Sequence, residues 1–223
     1  MADRASVFHR SRLSLTLALT LATALFVALA AQPFASLTVS PAGRQLFDIA
    51  TGVTTMPDGG VITDQSTGVE LSATHIEYLA GAFVEARGAR VNGDFGVVTA
   101  QSLRLDLQSG VLNASGGLSL ARGALTIGAG SLAYYANRQV AVFGGGVVAT
   151  GPTFEADRLY LDAVTGDVLL VGNYSFSDSL FTMTSPEEGG RLELRMVLRD
   201  GEPSYDAATE VRPELLERFD GLL

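Results

Sequence analysis

Few residues in this chain could do acid–base, nucleophilic or metal chemistry. Its 223 residues include no Cys and only two His, His9 and His75, and all 15 basic residues are Arg. Without Cys there is no thiolate ligand, disulfide or cysteine nucleophile. Without Lys there is no Schiff base and no P-loop. A catalytic triad or a His-rich metal centre would have to rest on His75, and no ligand-type partner recurs near it at metal spacing. Its place between Ala73 and Ile76 reads as a bend or surface position. Glu155 and Asp157 stand two apart, so on a strand they would share a face and could act as acid and base. The simpler reading is an outward polar face. Gly144-Gly145-Gly146 lies between two strand-like runs and lacks the helix that a phosphate cradle needs. The calcium-binding nonapeptide pattern is absent. Asn113-Ala114-Ser115 and Asn173-Tyr174-Ser175 match the glycosylation sequon but fall inside strand-like runs. No cofactor and no metal are expected. A net charge of −9 argues against a nucleic-acid partner, which needs a basic face to displace counterions.

With so little reactive chemistry, the function must lie in surfaces and interiors. Hydrophobic residues make up 47% and charged residues 17% of the chain, a composition that folds. The apolar content has two sources. The first is residues 13–31, LSLTLALTLATALFVALAA, which carry no charge and follow Arg4, Arg10 and Arg12. A basic region, an apolar run and small residues in that order make an export signal, with Ala28-Leu29-Ala30 as a cleavage site. The run is also long enough to span a membrane as a retained anchor. Either way the rest of the chain is expected outside the cytoplasm.

The second source is a repeat. Gly88, Gly116, Gly144 and Gly172 are spaced by 28 residues each time. Four residues before each stands Val84, Leu112, Val140 or Val168, and two before each stands Ala86, Ala114, Val142 or Leu170. This Φ-x-Φ-x-G alternation predicts a strand. The other half of each unit reads Φ-x-A-x-x-Φ-x-[YL]. The copies are Leu71-Ala73-Ile76-Tyr78, Val98-Ala100-Leu103-Leu105, Ile127-Ala129-Leu132-Tyr134 and Phe154-Ala156-Leu159-Leu161. The three-residue step after Ala breaks alternation at the same place in every copy. A bulge or corner there returns the aliphatics to one side. Gly81, Ser109-Gly110, Asn137 and Thr165-Gly166-Asp167 mark the connecting turns. One such unit cannot bury its apolar face alone, whereas stacked units can. The expected fold is all-β: an elongated β-jellyroll or solenoid of stacked antiparallel strands in 28-residue repeats. Residues 191–198 should form a last strand, and Pro213 should open a short C-terminal helix over 213–220.

The stretches 127–148 (IGAGSLAYYANRQVAVFGGGVV) and 154–172 (FEADRLYLDAVTGDVLLVG) resemble the OstA/LptA family, the periplasmic proteins of lipopolysaccharide transport that include the anchored LptC type. The shared features are A-x-x-L-x-Y and V-x-V-x-G-x-V, over about residues 69–176. The resemblance implies a β-jellyroll opened like a V. Its apolar interior would carry the acyl chains of a lipid or glycolipid, and its edge strands would join other OstA/LptA-like proteins into a bridge between membranes. It also implies that the chain is not an enzyme. The lining candidates are Ile76, Tyr78, Leu103, Leu105, Leu132, Tyr134, Leu159 and Leu161, with Val84, Leu112, Val140 and Val168 from the other strand of each pair. One departure concerns the cargo: Arg87, Arg90, Arg104, Arg122, Arg138 and Arg158 are scattered, with no basic cluster for a phosphorylated headgroup.

The expected organisation is a signal or anchor over 1–31, N-terminal cap strands over 32–68, the repeat domain over 69–176, and C-terminal cap strands with the helix over 177–223. Residues 13–31 could contact the inner membrane. Two other readings stay open: a structural β-solenoid that assembles without cargo, and a carbohydrate-active enzyme working through Glu155 and Asp157.

Overall fold

The computed structural model describes residues 37–178, 181–186, 189–199 and 202–223. The leader or anchor expected over 1–31 lies outside the described residues. Among the described residues no helix is long and apolar enough to cross a membrane.

Sixteen strands form one antiparallel sheet. The short ones on the N-terminal side are β1 (Leu37–Pro41), β2 (Leu46–Phe47), β3 (Thr54–Met56), β4 (Gly60–Asp64), β5 (Glu70–Ala73) and β6 (His75–Leu79). The long ones are β7 (Phe83–Gly93), β8 (Gly96–Asp106), β9 (Val111–Arg122), β10 (Leu125–Tyr135), β11 (Val140–Thr150), β12 (Thr153–Asp162) and β13 (Val168–Ser177). β14 (Thr182–Thr184), β15 (Arg191–Arg199) and β16 (Glu202–Ala208) follow, then α1 (Pro213–Arg218), the one helix among the described residues. The expected last strand is therefore followed by one more, β16, which pairs with β15. The helix starts at Pro213 as expected.

β7 to β13 pair in sequence order, as hairpin follows hairpin. At both ends of this run, what would be one long strand is split in two. β5 and β6 pair with opposite halves of β7. β14 and β15 pair with opposite halves of β13. The splits lie on the line where the long strands bulge. Register shifts occur between Thr99 and Ser102, between Ala129 and Ser131, and between Ala156 and Arg158. These are the three-residue steps that follow Ala in the repeat. The sheet is thus creased along one line into two arms. Side chains from both arms enter one core, with Leu71, Val91 and Phe154 from one arm and Ile76, Leu103 and Leu159 from the other.

The glycines show how the crease is made. Gly88, Gly116 and Gly172 have φ of 60°, 77° and 96°, a left-handed region that side chains with a Cβ avoid. Gly144 does not share this conformation. In β11 the positive φ falls on Gly145 (76°) and Gly146 (80°), so the structural beat slips by one residue there.

Five-residue hairpin loops recur with the pattern D-x-x-[ST]-G, at Asp48–Gly52, Asp64–Gly68, Asp106–Gly110 and Asp162–Gly166. In each, the glycine N–H donates to the aspartate carbonyl, at 2.8–3.0 Å, and the glycine φ lies between 68° and 80°. The aspartate carboxylate caps the loop by accepting from the backbone two residues on.

Candidate functional site

The interior is built in rows that run across the sheet, because directly paired residues on one face stack. The row beside the crease passes from Met56 through Ile76, Ala86, Leu103, Ala114, Leu132, Phe143, Leu159 and Leu170 to Leu192. Ten strands each contribute one side chain, and none is polar. All ten are buried. The next row on the same arm runs Tyr78, Val84, Leu105, Leu112, Tyr134, Ala141, Leu161, Val168, Leu194. Here Tyr78, Leu112, Tyr134 and Leu161 are partly exposed, so parts of this row reach the surface. Burial pushes the Tyr134 phenol above its ordinary pKa. The Tyr205 phenol, packed against the same core from β16, is raised mainly by burial as well. At the other end of the row, the Tyr78 hydroxyl accepts from Gln45 Nε2 at 2.9 Å.

Eleven of the twelve lining candidates fall in these two rows: Ile76, Leu103, Leu132 and Leu159 beside the crease, and Tyr78, Val84, Leu105, Leu112, Tyr134, Leu161 and Val168 in the second row. Val140 does not. It is fully buried on the opposite face, against Tyr160, Leu169, Leu215 and Phe219. The slip of the glycine beat explains this, since moving the register by one residue turns the other face inward. Ala141 and Phe143 take the inward positions that the 28-residue spacing assigns to Val140 and Val142. The spacing also leaves out the second arm. There a third row crosses the sheet through Leu71, Val91, Val98, Leu120, Ile127, Ala149, Phe154 and Phe176. Its signal was the first Φ of each Φ-x-A-x-x-Φ copy.

The outer face is held differently. The C-terminal segment lies over β11–β13, with the Tyr160 and Phe219 rings 5.5 Å apart and tilted. The Tyr160 hydroxyl donates to the Leu222 carbonyl at 3.0 Å. Arg212 donates through its side chain to Asp167 (2.6 Å) and to Glu193, and through its backbone N–H to Glu193 (2.9 Å). The hydrogen bond to Asp167, followed by that to Glu193, raises the Arg212 pKa further. Arg218 Nε donates to Asp162 at 2.9 Å, and Arg138 donates to the carbonyls of Arg218 and Asp220 at 2.7 and 3.0 Å. These clamps fix the helix, and sequence spacing gives no sign of them.

Glu155 and Asp157 do not form a buried pair. Asp157 Oδ2 accepts from the Asn173 backbone at 2.8 Å and its side chain at 3.1 Å, so it braces the bend at Gly172, and Glu155 is exposed. His75 Nε2 lies 2.9 Å from Glu77 Oε1 on the outer face, the surface position expected. Glu85 and Arg104 pair nearby. Among the described residues there is no group of three or more His, Cys, Asp or Glu able to hold a metal. An open groove of about 490 Å³ crosses the outer face beside the crease, lined by Ser102, Ser115, Ser131, Arg104, Arg158 and Leu222 among others. Ala114, Leu132 and Phe143 of the row beside the crease also line it.

No family model and no curated protein sequence matches this chain. Among solved structures, the crystal structure of LptH from Pseudomonas aeruginosa is similar at a TM-score of 0.44 and 14% identity, over 49% of this chain and 82% of that one. LptH is described as the LptA homologous periplasmic component of the conserved lipopolysaccharide transport device. At that level of likeness, the fold of this chain stands on its own strand pairing.

Proposed function

We propose that this chain is a non-enzymatic carrier and bridge for envelope lipid, acting in the periplasm. The observation that carries this reading is the uninterrupted apolar row beside the crease, which runs from β3 to β15 with no polar side chain. A sheet that needed only a stable core could close on itself. This one leaves β1 at one end and β14 and β16 at the other, each pairing on one side only among the described residues. Unpaired strand edges can accept another chain. A neighbour added there would continue both the sheet and its apolar rows. Acyl chains bound in such an interior gain roughly 0.8 kcal/mol per buried CH₂. They would enter where Tyr78, Leu112, Tyr134 and Leu161 are partly exposed. The motif resemblance supplies the cargo class, lipopolysaccharide-type lipid, and the partners, other OstA/LptA-like proteins.

The test is solvent extraction of the purified full chain followed by mass spectrometry. Bound acyl lipid is expected, with loss in Leu112→Asp and Tyr134→Asp proteins that keep the wild-type circular dichroism. Absence of lipid from a protein that still assembles edge to edge would favour a structural solenoid. Hydrolysis of a polysaccharide that is lost in Glu155→Gln would overturn the non-enzymatic assignment.

A further inference from the structure

We propose that the β2–β3 hairpin is a preformed wedge that inserts into a lipid bilayer surface. Its apolar side chains are out of place for a soluble loop. Leu46 is 55% exposed, Phe47 64% and Ile49 89%. The loop does not require them. All four D-x-x-[ST]-G loops close with the same bonds, yet the residue after Asp is Gln65 in one, Ala163 in another and Leu107, which packs against the core, in a third. Of these four loops two hold a branched apolar side chain outward at the tip, Ile49 here and Val164 in another, and only Ile49 stands next to an exposed aromatic.

Two features select a bilayer over a protein partner. First, Leu46 and Phe47 are consecutive strand residues, opposite Thr55 and Thr54, so they point to opposite faces. A partner protein covering one face would leave the other wet, whereas a bilayer interface surrounds a protruding tip. Second, β2 has two residues, too short an edge for an added strand to gain much hydrogen bonding.

The tip is rigid enough to insert without an ordering cost. Asp48 accepts from the Ala50 backbone and the Thr51 hydroxyl, both at 2.8 Å. Its backbone N–H donates to Val53 at 2.9 Å. Both carboxylate oxygens are thus turned into the loop, away from the apolar tip.

The chain has no Trp, so one introduced Trp reports its own position. The full chain carrying Ile49→Trp would be bound to vesicles of phosphatidylethanolamine and phosphatidylglycerol containing brominated lipid. A chain carrying Val164→Trp, at the tip of another loop of the same pattern and 62% exposed in the native protein, is the comparison. The proposal expects blue-shifted emission and strong quenching at position 49, unchanged at high salt, with water-like, unquenched emission at position 164. Adding Phe47→Ser to the position-49 reporter should reduce the quenched fraction about tenfold, the effect of leaving one large apolar side chain in water. The proposal is overturned if position 49 stays unquenched on vesicle-bound protein, or if the chain does not bind vesicles. Equal quenching at both positions also overturns it, as does a blue shift that grows with protein concentration in the absence of lipid. Lipid extraction, the test of the carrier reading, is independent of each of these outcomes.

Discussion

Strands β11 to β13 are buried on both faces, and the two faces are built on different principles. The inner face is apolar and repetitive, each strand adding one aliphatic or aromatic side chain to a row that its neighbours continue. The outer face is a single event. One short helix sits on Val140, Tyr160 and Leu169, held by guanidinium clamps to carboxylates that are themselves nearly buried, with Glu193 and Asp162 at 1% and 5% exposure. The inner face gains its stability by area, so damage there should spread to neighbouring strands. The outer face has direction and a fixed partner, so damage there should stay local.

Four measurements test that contrast. The largest effect should come from Leu159→Ala. Leu159 is fully buried in the middle of the row, and its loss should cost about 3–4 kcal/mol in denaturant unfolding, with hydrogen exchange accelerated across β10 to β13. Phe219→Ala should cost about 3 kcal/mol, but with exchange accelerated only around α1 and the outer side of β11–β13. Equal spread from both substitutions would erase the distinction.

The third measurement tests where the faces switch. Gly172→Ala places a methyl 2.2 Å from Asp157 Oδ2 and 2.6 Å from its Cβ, at a φ of 96°, and should cost about 1–3 kcal/mol. Gly144→Ala meets nothing closer than Ser131 Oγ at 3.4 Å and needs no left-handed backbone. Its stability should stay within about 0.5 kcal/mol of wild type, although the two glycines hold the same place in the 28-residue spacing.

The smallest effect is in the loops. Hydrogen bonds from Ser109, and then Gln108, lower the Asp106 pKa below the ordinary value. Hydrogen bonds from Thr51 and Ala50 do the same for Asp48. A carboxylate whose folded pKa is depressed contributes stability above its unfolded pKa, about 3.9. That contribution is lost as pH falls through the lower folded value. Asp106→Asn should therefore flatten the acid limb of a stability–pH curve slightly below pH 4, without altering either face at neutral pH.

The crease and the strand pairing were legible in sequence because they depend on residues with few alternatives. Ala marks the bulge at intervals of 27 to 29 residues, and Gly marks the left-handed turn in three of the four copies. The facing of β11 was not legible. Val140-Ala141-Val142-Phe143 is apolar at every position, as expected of a strand covered on both sides, so alternation carried no information and the spacing of Gly144 was off by one. The carboxylate clamps were invisible for another reason. Arg212 meets Asp167 across 45 residues, and nothing local to either residue announces the other. The D-x-x-[ST]-G loops were readable in principle, but only their last two or three residues stand out as turn signals.

Since each repeat places one side chain per strand in every row, the length of the apolar interior is quantised. Adding or deleting one 28-residue unit changes it by two strands, about 10 Å, without altering its cross-section. The copy number of the repeat therefore acts as a ruler for the length of the apolar interior.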